Sequence, residues 1–211
     1  MEIPAPTLVL NGPIRWNAAL RTQLDRAGPL LAADGGANAL DELGIRASII
    51  IGDLDSIRPA ILREMPVSSI LHRPDQDSCD FEKALDYVFG DAGLEELTVL
   101  GALGGRPDHA VGNLGILARE CRGTKLVLRS EAAIVLALRG KMELEARPGE
   151  TWSFWSFDPT LRLSLEGVRW PLDGVSVHVE KGASISNEAV ARRIGILAEG
   201  GTLLVCRNFV E

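Results

Sequence analysis

Two aspartates separated by one residue follow an apolar, β-branched run: Ala47-Ser48-Ile49-Ile50-Ile51 leads into Gly52-Asp53-Leu54-Asp55-Ser56. The run reads as a buried parallel strand, so both carboxylates fall at or just past its carboxyl end, where ligands bind in open α/β sheets. Residues two apart on an extended tip point the same way, and carboxylates so placed repel unless a cation lies between them. A divalent metal is the simplest resolution; the plain alternative is an Asx-type turn leaving a strand. A second acidic group, Asp75, Asp77 and Asp80, stands just ahead of a helical pattern with Phe81, Ala84, Leu85 and Val88 on one face. Aspartates near a helix start contribute ~0.3–1 kcal/mol each, but one cap needs only one of them.

Two glycine loops have the same setting between a strand and a helix. Asp34-Gly35-Gly36-Ala37-Asn38 and Gly101-Ala102-Leu103-Gly104-Gly105-Arg106-Pro107-Asp108-His109 both offer backbone N–H groups and a helix start to an anion. For the Gly35-Gly36 pair the alternative is a tight turn that needs positive φ. Arg106 can grip phosphate oxygens through two parallel hydrogen bonds, while Asp108 caps the helix or orients the arginine. His109 is a candidate base, although a histidine at a helix start is more often structural.

The elements that position these residues follow from periodicity. Strands are expected at Thr7–Leu10, Leu30–Ala33, Ala47–Ile51, Val67–Leu71, Glu96–Leu100 and Lys125–Leu128. Helices are expected at Trp16–Ala27, Ala39–Leu43, about Arg58–Arg63, from Asp80 onward, and about Ala110–Arg119. Past residue 130 the pattern changes to short β-type runs at Ala133–Leu138, Lys141–Ala146, Trp152–Phe157, Leu161–Leu165, Gly174–Glu180 and Thr202–Arg207, with at most a helical turn near Ala189. An α/β half, 1–130, and a small all-β half, 131–211, are therefore expected. Trp152, Trp155 and Trp170 lie in the β half, where aromatics usually build the core.

The formal net charge of −7 argues against nucleic acid as a partner, because binding phosphate backbones needs a positive surface. A polyphosphate can still bind if a metal supplies the positive charge. Cys79, Cys121 and Cys206 are odd in number and widely spaced, which suggests reduced thiols in a cytoplasm. Met1 to Pro6 lack the features of a signal peptide, and no apolar run reaches the ~18 residues of a membrane span. A soluble cytoplasmic protein is expected.

With the Asp34–Asn38 and Gly52–Ser56 loops, Asp75-Gln76-Asp77 with Asp80 and Glu82-Lys83-Ala84-Leu85, and Gly104–His109 in this order, the chain resembles thiamine pyrophosphokinases. Gly167-Val168-Arg169-Trp170-Pro171-Leu172 and Ser184-Ile185-Ser186-Asn187-Glu188 resemble that family's thiamine-side motifs, so the likeness spans essentially the whole chain. The resemblance implies an N-terminal α/β domain with a mostly parallel sheet and a C-terminal β-sandwich. It implies a homodimer with sites between subunits, and transfer of pyrophosphate from ATP to the thiamine hydroxyl with release of AMP. By the same resemblance Asp34, Asp53, Asp55 and Asp80 hold Mg2+, with Asp53, Asp55, Asp80 and Arg106 serving the chemistry. Gly35, Gly36, Asn38, Gly105, Arg106 and Asp108 serve ATP; Gln76, Asp80, Trp170, Ser186 and Asn187 serve thiamine.

Two residues depart from the family pattern. Cys79 stands where a threonine is usual, which replaces a good hydroxyl donor with a weak one. Ala189 stands where a large apolar residue often follows Ser-Asn-Glu, which would remove one wall of the thiamine pocket and leave Trp170 or Trp155 to stack on thiamine. Two other readings use parts of the pattern. A metal-dependent nucleotidyl or glycosyl transferase also places paired acids at a strand end, but has no use for Ser186-Asn187-Glu188. A non-catalytic thiamine or nucleotide sensor would not need four metal-side carboxylates.

Overall fold

The computed structural model describes residues 5–182 and 184–209, and the chain divides into two compact units. The first comprises Met1–Asn113 with Leu128–Glu131, the second Leu114–Val127 with Ala132–Glu211. The segment Met1 to Pro4, part of the stretch expected to lack a leader, lies outside the described residues.

In the first unit, β1 (Thr7–Val9), α1 (Ala18–Asp25), β2 (Leu30–Ala33), α2 (Gly36–Asp41), β3 (Ile49–Gly52), α3 (Pro59–Glu64), β4 (Ile70–His72), α4 (Asp80–Leu85) and β5 (Leu97–Leu100) follow in order. Every pairing among these strands is parallel, and the spatial order is β5-β1-β2-β3-β4. The chain thus builds outward from β1 through β4 and then returns to β1's other side with β5. That reversal puts a topological switch point beside β1, where a crevice opens past the carboxyl ends of the strands. Val9 is level with both Ala32 and Leu100, and Ala33 with Ile51, so Asn11, Asp34, Asp53 and Gly101 all emerge at one edge.

Several boundaries differ from those expected, each for a local reason. Helix α1 starts after Trp16, because Asn17 is its N-cap and its Oδ1 accepts from Leu20 N at 2.9 Å. Val67–Ser69, expected in a strand, forms a single 3-10 turn behind Pro66. The stretch after α4 continues as a π-helix, Asp86–Asp91, and keeps the expected buried face of Phe81, Ala84, Leu85 and Val88. Helix α5 (Pro107–Glu120) opens three residues early, at a proline whose missing N–H costs nothing in the first turn. The division between units falls within α5 and within β6 (Gly123–Arg129).

The second unit is antiparallel: β7 (Ala133–Glu145), β8 (Thr151–Trp155), β9 (Arg162–Glu166), β10 (Leu172–Val175), β11 (Ser184–Glu188) and β12 (Arg193–Asn208). The two short runs expected between Ala133 and Ala146 are one strand, and β12 extends the expected Thr202–Arg207 run back to Arg193. β12 pairs with β7 along both strands, with a register shift between Ala198 and Leu203. Its free edge takes β9 over Gly195–Glu199 and β8 over Leu204–Arg207. One long strand pair therefore feeds two sheets, which close on Trp152, Phe154, Leu163, Ile194 and Val205 as a sandwich. Trp152 and Phe154 stack at 6.5 Å within that core. No helical turn forms near Ala189; this residue is wholly buried and bridges Val168.

Candidate functional site

The acids of the first unit gather at the strand ends. Asp34 follows β2 with φ 42, is 2 % exposed, and accepts from Ser56 N at 3.0 Å through Oδ2. Its Oδ1 is buried, with no hydrogen-bond partner among the described residues. Asp53 follows β3 and accepts from Gln76 Nε2 at 3.2 Å. Asp80 opens α4. Asp34, Asp53 and Asp80 each place a carboxylate oxygen within 4.8 Å of the others. Gly52 makes this possible: a Cβ there would lie 3.0 Å from both Asp34 Cβ and Asp80 Oδ1, at a φ of 147 that side chains rarely adopt.

Burial raises the pKa of Asp34, partly opposed by its hydrogen bonds from Ser56. Burial also raises that of Asp80, with the charges of Asp34 and Asp53 adding to it. Desolvation and mutual repulsion push these carboxylates toward neutrality, and the one lysine beside Asp80 does not offset it, so an all-oxygen donor set of this kind suits a hard divalent cation. The orphaned Oδ1 of Asp34 gives such an ion a ligand that nothing in the fold uses.

A cleft of about 760 Å³ runs from these acids to the loops after β1 and β5. Gln76 and Lys83 join the acids on one side; Gly105, Arg106 and His109 form another. Arg106 is held by Asp108 through a two-point contact, Nε–Oδ1 at 3.1 Å and Nη2–Oδ2 at 2.5 Å. That hydrogen bonding holds the Asp108 carboxyl down to about 2. Of its two expected roles, Asp108 therefore takes that of orienting the arginine.

Other expected residues stand elsewhere. Asp55 is outside the acidic group, because Leu54 at φ 68 breaks the extended geometry that would align it with Asp53; Asp55 instead accepts from Ser56 Oγ at 2.8 Å. Gly35, Gly36 and Asn38 do not line the cleft. Gly35 has an ordinary helical φ of −59, so the pair is not a positive-φ turn. Their small size is used for close approach: a Cβ on Gly36 would lie 2.0 Å from Val9 O, and one on Gly35 would strike the Asn11 side chain. Asn38 ties down the acidic loop, donating to Ser56 O and accepting from Arg58 N, each at 2.9 Å.

In the second unit, Asn187 is 2 % exposed and fully engaged. Its Oδ1 accepts from Trp170 N at 3.2 Å and Glu188 N at 2.9 Å, and its Nδ2 donates to Trp170 O at 2.8 Å. Ser186 is exposed, at φ 60, with its N–H donating to Ser153 Oγ. Trp170, for which both a core place and a thiamine-side role were expected, is 56 % exposed, with Arg169 5.8 Å from its ring. Trp152 is core and Trp155 half-buried. Ala189 faces the core rather than an open surface, so it leaves no gap in a pocket wall. Cys79 is the N-cap of α4, where its backbone N–H donates to Glu82 at 3.0 Å, a bond that does not involve the thiol.

Sequence reasoning passed over Asn11 and Lys83 in the cleft. Asn11 carries little signal beyond its place after a strand. Lys83 lies one turn from Asp80 amid apolar residues, which was a usable sign.

A family model described as "Thiamin pyrophosphokinase, catalytic domain" matches residues 20–128. The chain is 29 % identical over 191 residues to thiamine pyrophosphokinase 1 of Oryza sativa subsp. japonica, covering 77 % of this chain and 72 % of the relative. It is 25 % identical over 210 residues to thiamine pyrophosphokinase of Bacillus subtilis (strain 168), covering 95 % and 97 %. The solved thiamine pyrophosphokinase from Bacillus subtilis shares the fold at TM-score 0.80 and 22 % identity, over 98 % of this chain and 100 % of that one. The yeast thiamin pyrophosphokinase structure does so at TM-score 0.80 and 18 % identity, over 99 % and 87 %.

Proposed function

The chain belongs to the thiamine pyrophosphokinase family, and from that premise we propose that it transfers an intact pyrophosphoryl group from ATP to the hydroxyl of thiamine, with Mg2+ held by Asp34, Asp53 and Asp80. The observation that carries this reading is the acidic group itself, whose buried, unpartnered Asp34 Oδ1 fits a cation ligand. A bound divalent ion would supply positive charge to phosphoryl oxygens, the main requirement of phosphoryl-type transfer. In the transfer, the thiamine hydroxyl loses its proton to solvent as its oxygen bonds to the β-phosphorus, the bond from that phosphorus to the α–β bridging oxygen breaks, and AMP leaves.

The chain's own residues do the positioning. Gln76 holds Asp53 by its amide, and Asn38 fixes the loop that carries Ser56 N to Asp34. Arg106, steadied by Asp108, keeps donors free for the triphosphate, with Gly105 beside it in the cleft wall. On the thiamine side, Trp170 offers an exposed aromatic face and Ser186 an exposed hydroxyl, while Asn187 acts by locking the backbone of Trp170. The reading takes the working protein as a homodimer in the cytoplasm; the free cysteines suit a reducing compartment. Incubation with Mg2+, ATP and thiamine tests it. AMP and thiamine diphosphate in equal amounts are expected, and release of ADP with thiamine monophosphate would overturn it.

A further inference from the structure

Lys83 lies on α4 with its side chain only 4 % exposed, although lysine is among the residues least often buried. Phe81, Ala84 and Leu85, also on α4, are buried with it. Removing an ammonium from water is costly unless anions and hydrogen bonds replace its hydration. The anion beside it, Asp80 Oδ1, is 3.7 Å from Nζ, longer than a hydrogen bond. An ammonium carries three donors, so this contact leaves donor capacity unused. Lys83 nevertheless lines the cleft that also holds Asp34, Asp53 and Arg106. If its only task were to balance Asp80, a solvated lysine would do so without the burial.

We propose that Lys83 is a substrate-binding residue of the transfer, its ammonium donating to the phosphoryl oxygens of ATP that face Asp80. The inference rests on the ATP-dependent reading given above. Arg106 and Lys83 then meet the triphosphate from separate elements, the loop before α5 and the body of α4. The arginine is a largely exposed, planar fork, and the lysine is a buried point charge. An ammonium screened from water acts more strongly on a phosphoryl oxygen than an exposed one. Lys83 also limits repulsion between the acids and the incoming anion, since it stands beside Asp80.

Lys83→Met tests the proposal, because it removes the charge and keeps the length of a buried apolar stem. Binding of α,β-methylene-ATP, whose bridge cannot be cleaved, is titrated by calorimetry at saturating Mg2+ for the parent protein and the variant. The dissociation constant is expected to rise at least about tenfold, the scale of a lost charge-assisted hydrogen bond, with the thiamine KM within about twofold of the parent. If the variant binds the analogue as tightly as the parent, the lysine serves only Asp80 and the proposal is overturned. Should Lys83→Met not fold, Lys83→Gln, one atom shorter and polar but uncharged, faces the same two outcomes. AMP formation by the parent is read separately, so a failure of the ATP–thiamine reading shows there, whereas a failure of the Lys83 role shows only in the titration.

Discussion

Asp34 of the first unit and Asn187 of the second, both deeply buried, are treated in opposite ways. In the first, Asp34 keeps a buried oxygen without a partner, and desolvation and neighbouring charge leave Asp34 and Asp80 reluctant to ionise. In the second, Asn187 is as deeply buried, yet both ends of its amide are spent on the backbone around Trp170. Both residues were expected to bind ligands because the family resemblance implied it. A group left unsatisfied by the fold has something left to offer a ligand, whereas a saturated group must break native bonds before it can bind one. The first unit is thus built incomplete, and Asn187 of the second is built complete.

The largest effect expected from this contrast is at Asp53. Asp53→Asn keeps the shape and the bond to Gln76 but removes a charge from the acidic group, so turnover is expected to fall by more than about a hundredfold with little change in folding. Steady-state rates beside a urea melt measure both. A rate within about threefold of the parent, an effect of only ~0.7 kcal/mol, would show that the group is not a metal site.

At Asn187 the contrast predicts the reverse pattern. Asn187→Ala leaves Trp170 N, Trp170 O and Glu188 N without their side-chain partner, and unfolding stability is expected to drop by about 2 to 4 kcal/mol. In the protein that remains folded, thiamine KM should move less than stability does. If stability holds within about 0.5 kcal/mol while thiamine KM rises tenfold, Asn187 is a ligand group and the contrast between the units fails.

What could be read in advance follows the same physics. Strands β1, β2, β3 and β5 were legible because a parallel strand buried on both faces is a short continuous apolar run, and each ended at Asn, Asp or Gly. Asp34 and Asp53 were legible as acids standing at those ends, and Asp80 as one at a helix start. The backbone at Leu54 was not, since nothing in a leucine announces a φ of 68, and so Asp55 was wrongly aligned with Asp53. The first half of β12 was hidden because Gly195 occupies the position between Ile194 and Ile196 where a polar residue would have revealed alternation. Near Ala189, the run Glu188-Ala189-Val190-Ala191 favours helix, but pairing with Val168 overrode that preference. The type of Asn187 is the same whether it holds thiamine or a backbone turn. Only its partners decide.

Arg106 sharpens the contrast at a smaller scale. Arg106→Lys keeps the charge and loses the planar fork, so the ATP KM is expected to rise about tenfold while the thiamine KM changes much less. The opposite split would move Arg106 to the other substrate.

The smallest effect concerns Asp108, a matched group within the incomplete unit. Its folded pKa is depressed from 3.8 to about 2, chiefly by the hydrogen bonds from Arg106. A depressed carboxylate contributes its stability above the unfolded pKa and loses it as pH falls through the folded one, so this contribution fades between about pH 4 and pH 2. Because both side chains are exposed, the change in global stability is expected to be slight and to shrink further in high salt. The carboxyl carbon shift of Asp108 reads the pair directly. A titration midpoint near 2 is expected in the parent, returning toward 3.8 in Arg106→Gln. A midpoint that is ordinary in both would mean the fork is not held in solution. Arg106 would then have to be ordered by the substrate itself, and the first unit would be incomplete in its arginine as well as in its acids.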